Sequence, residues 1–183
     1  KLIKVYLKNG QEQWILIHIE VQGNQEDDFS RRMFTYGYRI FDKYQQPVVS
    51  CAILTDDKIE WRPDYYEVGF AGSYLRSKFL VIKLSDYQNK RNELEAAANP
   101  FANVILVQLA ALEAKSKPDI ERKKVKFALT KRLYEKGYSR LEITNLYKFI
   151  DWLIGLPKLL ELEYLNEVYT LEETKNMAYV TSA

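Results

Sequence analysis

The chain has 183 residues, enough for one domain with a sizeable core or for a domain with a helical extension. Its net charge of +2 excludes the strongly basic balance of a histone-like or ribosomal protein, so any contact with nucleic acid has to come from a local patch. The single cysteine, Cys51, excludes a disulfide framework and a cysteine-based zinc site and fits a reducing, cytoplasmic location, and no apolar run reaches the roughly 18 residues of a membrane span.

Two strand-like runs open the chain, at residues 2–7 and 14–21, on either side of the turn signal Asn9-Gly10. Both turn residues tolerate positive φ, so the sequence predicts a β-hairpin closed by a two-residue turn. In that register Leu2 faces Ile17.

The second strand ends in two polar side chains on one face, Glu20 and Gln22. Such side chains either face a ligand, a metal ion or water, or they simply extend into solvent at the strand end. The register places the position opposite Glu20 upstream of Lys1, and the strand-like start of the sequence indicates a natural N-terminus further upstream. His18 shares their face; a general base is one interpretation of this lone histidine, and a partly buried structural side chain is the other.

A helix is predicted over residues 28–44, with Asp28 as a candidate N-cap. Its predicted packing stripe consists of Phe29, Met33, Tyr36, Ile40 and Tyr44. Arg32 and Arg39 lie with Tyr36 on one side of this helix at i, i+4, i+7 spacing. They either hold a phosphate or orient Glu20 through a charge-assisted hydrogen bond, or they form a solvated edge, which is the interpretation for Arg31.

A further strand is predicted at residues 48–54, and a strand, a crossover helix and a strand in one sheet imply parallel pairing. Residues 65–70 and 78–84 predict a second hairpin around Ala71-Gly72-Ser73. On the loop before it, Trp61 and Arg62 are candidates to stack on or grip nucleic acid, with anchoring of the loop as the alternative for Trp61.

From about residue 89 the sequence becomes helical. The helices are predicted over residues 101–114, 119–136, 139–154 and from about 158 to 176, with a capping box at Ser139-Arg-Leu-Glu142 and a terminating Gly137. We therefore expect an α/β part at residues 1–88 and a helical extension at residues 89–183 packed on it. The helical part is a candidate surface for a homodimer. The basic run at residues 122–132 is a weak candidate for contact with the DNA backbone and otherwise a solvated face.

Several segments resemble the recombination-promoting nuclease family, whose members are also described as transposases and which is a branch of the PD-(D/E)XK nuclease superfamily. The resemblance rests first on Ile17-His-Ile-Glu20-Val-Gln22 and then on segments along nearly the whole chain. These are Arg32-Met-Phe-Thr-Tyr36, Tyr38-Arg-Ile-Phe41, Trp61-Arg-Pro63, Asn99-Pro-Phe101, Leu133-Tyr-Glu-Lys-Gly-Tyr-Ser139, Phe149-Ile-Asp-Trp-Leu153 and Met177-Ala-Tyr-Val-Thr181.

The resemblance implies a restriction-endonuclease-like fold, a mixed sheet with flanking helices, and a metal-dependent DNA endonuclease linked to recombination or mobile elements. Glu20 would bind Mg²⁺ or Mn²⁺ together with the backbone carbonyl of Val21, and Gln22 would fill the lysine position of the motif. The family's Asp has no counterpart in this sequence, and the resemblance places it just before Lys1. Glu12 lies near the turn and is a poor substitute.

A second interpretation belongs to a different class of protein. Because Gln22 replaces a lysine and the motif's Asp is missing, the chain is alternatively a catalytically degenerate module that binds DNA or a protein partner.

Overall fold

The computed structural model describes residues 2–177 and 179–180, a mixed α/β arrangement with two sheets and six α-helices. It divides into two compact units, Lys1–Tyr87 and Gln88–Ala183. The strands are β1 (Leu2–Tyr6), β2 (Glu12–Gln22), β3 (Val48–Leu54), β4 (Tyr65–Phe70), β5 (Ser73–Lys78) and β6 (Leu80–Lys83). The helices are α1 (Phe29–Tyr44), α2 (Arg91–Ala96), α3 (Pro100–Ala114), α4 (Asp119–Glu135), α5 (Arg140–Leu153) and α6 (Lys158–Lys175), and a 3-10 segment spans Leu84–Lys90.

The main sheet of the first unit has the strand order β1-β2-β3-β6. Strand β1 pairs antiparallel with β2, whereas β3 runs parallel to both β2 and β6. The parallel pairing predicted from the strand-helix-strand order is confirmed, with Glu20 opposite Ala52 and Gln22 opposite Leu54. The sheet therefore brings the ends of β2, β3 and β6 to the same edge.

The predicted register of the first hairpin is wrong by one residue. Leu2 lies opposite Leu16 instead of Ile17. Of the two turn residues only Gly10 has positive φ, and the Asn9 side chain accepts a hydrogen bond from the amide of Gln11. The loop therefore contains three residues, which is the geometry of a turn followed by a left-handed glycine.

The prediction of a second hairpin pairing residues 65–70 with residues 78–84 is also wrong. Strand β4 pairs with β5, and these two strands form a separate sheet. The turn is shorter than predicted because Ala71 and Gly72 both have positive φ, so the chain returns to extended structure at Ser73. Residues 80–83 instead join the main sheet as β6, beside β3.

Helix α1 packs on one face of the main sheet. Phe29 and Met33 are buried there with Ala52, Leu54 and Phe79. The predicted stripe is correct for Phe29 and Met33 and in part for Ile40, which is partly buried, whereas Tyr36 and Tyr44 are exposed. Asp28 stands at the N-cap position but makes no capping hydrogen bond with its side chain.

Side chains along β2 alternate between the two faces of the main sheet, and every second one lies on the face opposite α1. Ile19 and Val21 lie on that face and are exposed. Glu20 and Gln22, which alternate with them, point towards α1.

The helical unit follows the sequence signals closely. Ser139 and Glu142 form the predicted capping box, and Gly137 takes positive φ after α4. Asn99 caps α3, which is apolar and largely buried. The core of this unit is built from Val107, Leu133, Tyr134, Ile143, Leu146 and Ile150.

The basic run on α4 is neither free nor wholly solvated. Lys126 is fully buried and donates hydrogen bonds to Asp151 and Glu161, and Lys123 donates to Glu163 and Glu167. These cations hold α4 to α5 and α6, so they are poorly placed to meet a DNA backbone.

Candidate functional site

The end of β2 and the first turns of α1 meet in a polar cluster centred on Arg32. The guanidinium donates from Nε to Glu20 Oε1 over 2.6 Å, from Nη2 to Gln22 Oε1 over 2.7 Å and from Nη1 to Glu26 Oε2 over 2.5 Å. The hydrogen bonds to Glu26 and then Glu20 raise the pKa of Arg32. The predicted charge-assisted orientation of Glu20 by Arg32 is therefore present.

One oxygen of Glu20 stands apart from this network. Its Oε2 is buried and has no hydrogen-bond partner among the described residues. The nearest ionisable atom in an ion-pair contact is His18 Nε2 at 3.8 Å, beyond hydrogen-bonding distance. A buried carboxylate oxygen without a donor is costly, because its desolvation is not compensated. The position therefore suits a cation, a water molecule or a substrate group.

Gln22 is held in place by two hydrogen bonds. Its side chain is buried, its amide nitrogen donates to the carbonyl of Asn24 and its oxygen accepts from Arg32. This amide occupies the position where the related motif carries a lysine, and it brings no charge. The positive charge of the cluster comes instead from Arg32.

His18 lies one pleat before Glu20 on the same face. Its Nδ1 lies 3.2 Å from Ser50 Oγ on β3, and its ring meets Tyr36 edge to face. Burial is the main cause of a lowered pKa for His18. A neutral imidazole hydrogen-bonded to a neighbouring strand is typical of a partly buried structural histidine.

A buried ion pair lies along the same sheet edge. Lys83 is opposite Leu54, which is in turn opposite Gln22. Its ammonium donates to both carboxylate oxygens of Asp56, at 2.6 and 2.7 Å, and to the carbonyl oxygens of Lys58 and Trp61. This lysine fixes the loop after β3 and is fully occupied in doing so.

The remaining predicted DNA contacts are dispersed over the first unit. Arg39 is exposed on α1, two turns beyond Arg32. The Trp61 ring packs 5.5 Å from the buried ring of Phe29, an arrangement typical of loop anchoring. Arg62 is bound to Asp86 through two hydrogen bonds, which raise its pKa, so a phosphate would have to compete with that carboxylate.

The described residues fit a divalent metal ion only in part. No three His, Cys, Asp or Glu side chains within residues 2–177 and 179–180 come together as a metal-binding group. Glu20 supplies one carboxylate oxygen to which no described residue donates, and Mg²⁺ commonly uses one or two carboxylates together with waters and substrate phosphates. The described pairing of β1 with β2 ends at Leu2 and Leu16, so the described part of β1 places no residue opposite Glu20.

Sequence reasoning missed two contacts of this region, Glu26 with Arg32 and Asp56 with Lys83. Glu26 lies in the polar connection before α1, and only the folded loop brings it to Arg32. Asp56 and Lys83 are 27 residues apart, and no local pattern joins them. The sequence offered one signal for Glu26: it is an acidic residue just before a predicted helix that carries an arginine.

Comparisons with protein-family models, with curated proteins and with solved structures found no significant match. The family resemblance seen in the motifs therefore stays a prediction, as does the homodimer. In the described residues no helix is both long and apolar enough to cross a membrane.

Proposed function

We propose that this protein is a metal-dependent DNA endonuclease that hydrolyses phosphodiester bonds and acts in recombination or on mobile elements. The observation that supports this most is the Glu20 carboxylate at the end of β2, with one buried oxygen that has no donor among the described residues and the other oxygen held by Arg32. A strand-end carboxylate beside an amide and an arginine is an arrangement suited to an anionic substrate and a cation.

In this proposal each residue of the cluster has a separate task. Glu20, with the backbone carbonyl of Val21, would hold Mg²⁺ or Mn²⁺. An ion there would supply Lewis-acid assistance to phosphodiester hydrolysis. Arg32 would turn from Glu26 to a phosphate oxygen, because its bond to this half-exposed carboxylate is the one most easily exchanged. Gln22 would keep the Arg32 guanidinium in position through the hydrogen bond that it accepts.

The proposal is tested by plasmid nicking in Mg²⁺, Mn²⁺ and EDTA with Glu20→Ala and with Glu173→Ala as a control. Glu173 is an exposed carboxylate at the end of α6 in the helical unit. We expect metal-dependent nicking that Glu20→Ala abolishes and Glu173→Ala leaves unchanged. Equal nicking by both variants would show that Glu20 takes no part in the cleavage.

A second candidate function, a catalytically degenerate DNA-binding module, is favoured by one specific observation. Arg32 neutralises Glu20 directly, and Gln22 adds no charge to the site. Metal-independent DNA binding without nicking would support this candidate. Loss of DNA binding in EDTA would count against it.

A further inference from the structure

A row of stacked aromatic rings runs from the small sheet to the surface of α1. Tyr66 on β4 stacks on Phe34 with ring centroids 5.2 Å apart and planes 17° apart. Phe34 in turn stacks on Tyr38, at 6.1 Å and 22°. Tyr38 ends the row and is 54% exposed. Its outer face is therefore available to another planar ring.

This row borders a pocket of about 250 Å³ between α1, β3 and β5. Among the residues that line it are Phe34, Tyr38, Phe41, Ser50, Ser77 and Lys78. Gly37 also lines the pocket, and a Cβ at this position would come within 2.9 Å of Ser50 Oγ. The glycine lets α1 approach β3 so closely that the Ser50 hydroxyl reaches the pocket.

The chemistry of the lining combines a ring platform, hydroxyl groups and one cation. The Lys78 side chain is 66% exposed, and the contact of its ammonium with the Asp64 carboxylate is long, at 3.8 Å. An exposed pair at that distance is weak and easily exchanged for another anion. The volume is below the roughly 300 to 1,000 Å³ of drug-sized sites. It suits one planar ring system with an anionic group attached.

We propose that this pocket binds a single unpaired nucleotide of a DNA strand, with the base stacked on Tyr38 and a phosphate at Lys78. This inference rests on the proposed function and names the form of its substrate: a strand with at least one unstacked base. Stacking on aromatic side chains accepts every base, because each has a π face.

The position of the pocket relative to the Glu20 cluster agrees with this assignment. Arg32 and Tyr38 lie on the same helix, six residues apart, which is about 9 Å along its axis. Stacked bases follow each other at about 3.4 Å, so that span corresponds to two or three nucleotides. Six residues also turn the helix by about 240°, so a strand would cross the surface of α1 obliquely, with one phosphate at Arg32 and a nearby base at Tyr38.

The test is the binding of a labelled single-stranded 12-mer, measured by fluorescence anisotropy in EDTA, with a duplex of the same sequence alongside. EDTA prevents metal-dependent cleavage, so affinity is measured independently of activity. Tyr38→Ala should weaken single-strand binding by about 5- to 150-fold, the range for loss of one base-stacking ring. Tyr169→Ala is the matched control, because Tyr169 is 52% exposed in the helical unit.

Lys78→Ala tests the phosphate contact separately. The plot of log affinity against log salt concentration should become less steep, its negative slope shrinking in magnitude by about 0.7, the value for one neutralised phosphate on a single strand. Lys148→Ala is the control, since Lys148 is exposed on α5 in the helical unit. An oligonucleotide with 2-aminopurine should lose fluorescence on binding to the wild type and much less on binding to Tyr38→Ala.

The proposal is overturned if Tyr38→Ala binds the single strand as tightly as Tyr169→Ala does. It is also overturned if the wild type prefers the duplex or does not bind the single strand. Tyr38-dependent binding without any nicking would reject the nuclease and keep the nucleotide pocket. Nicking that needs Glu20 while binding ignores Tyr38 would reject the pocket alone.

Discussion

Replacing Arg32 by Met should destabilise the first unit, because it removes the donor to three acceptors, of which those on Glu20 and Gln22 are shielded from water. The wild-type guanidinium bonds Glu20 over 2.6 Å and Gln22 over 2.7 Å, and the side chains of Arg32 and Glu20 are only 24% and 18% exposed. A hydrogen bond to a charged group contributes about 1.5 to 3 kcal/mol, and orphaning a buried acceptor costs a similar amount. Since the two losses overlap and the site is partly solvated, we expect a net loss of about 2 to 3 kcal/mol.

Urea unfolding measures this loss if the two units are separated. Trp14 and Trp61 lie in the first unit and Trp152 in the second, so a Trp152→Phe background makes tryptophan fluorescence report the first unit alone. With a slope of about 2 kcal/mol per M, Arg32→Met should lower the urea midpoint by roughly 1 to 1.5 M.

Two further variants decide whether the reasoning about Arg32 is right. Arg31→Met is the control: the Arg31 side chain is 66% exposed, so we expect a change within about 0.5 kcal/mol. Adding Glu20→Met to Arg32→Met should restore part of the stability, because the uncompensated buried charge disappears. Equal midpoints for Arg32→Met and Arg31→Met would refute the stabilising effect assigned to the cluster.

Three other perturbations have equally direct readouts. Lys83→Met should cost about 3 to 5 kcal/mol in the same urea assay, because it leaves the buried Asp56 carboxylate unpaired; a loss below about 1 kcal/mol would contradict this. Glu172→Leu should speed chymotrypsin cleavage near Tyr179, because the amides of Tyr179 and Val180 lose their acceptor, and unchanged proteolysis would refute the anchoring. Burial lowers the pKa of His18 below its ordinary 6.5, so the contribution of His18 to stability is complete above pH 6.5 and declines as the pH falls below that value. His18→Gln should therefore make the free energy of unfolding depend less on pH in this range. An unaltered slope of the free energy of unfolding against pH would exclude His18 as the source of that dependence.

The sequence predicted what depends on short-range periodicity. Alternation along β2 placed Glu20 and Gln22 on one face, and the structure directs both towards α1. The capping box at Ser139 and the glycine after α4 fixed the limits of the helices because each acts within one turn. The parallel pairing of β2 with β3 followed from the crossover helix predicted between the two strands.

Predictions failed where one residue's conformation or a long-range contact decided the outcome. Gly10 has positive φ and Asn9 does not, so the register of the β1–β2 hairpin differs by one residue from the prediction. Ala71 and Gly72 both have positive φ, so the strand that pairs with β4 begins at Ser73, earlier than predicted. The Glu26–Arg32 and Asp56–Lys83 contacts join a loop to another element, and no periodic pattern records them. The pocket beside Tyr38 likewise exists only once β5 lies against α1.

The most direct test of the central claim, that Glu20 serves metal-dependent cleavage of DNA, adds the Asp that the family resemblance implies just before Lys1. Leu2 pairs with Leu16, and the two strands are antiparallel. Counting four residues forward from Leu16 gives Glu20, and counting four back from Leu2 gives the third position before Lys1. A chain extended by three residues with Asp at that position should nick plasmid DNA in Mg²⁺ or Mn²⁺, and adding Glu20→Ala should abolish the nicking. No nicking by the extended chain, or nicking that survives Glu20→Ala, would contradict the account.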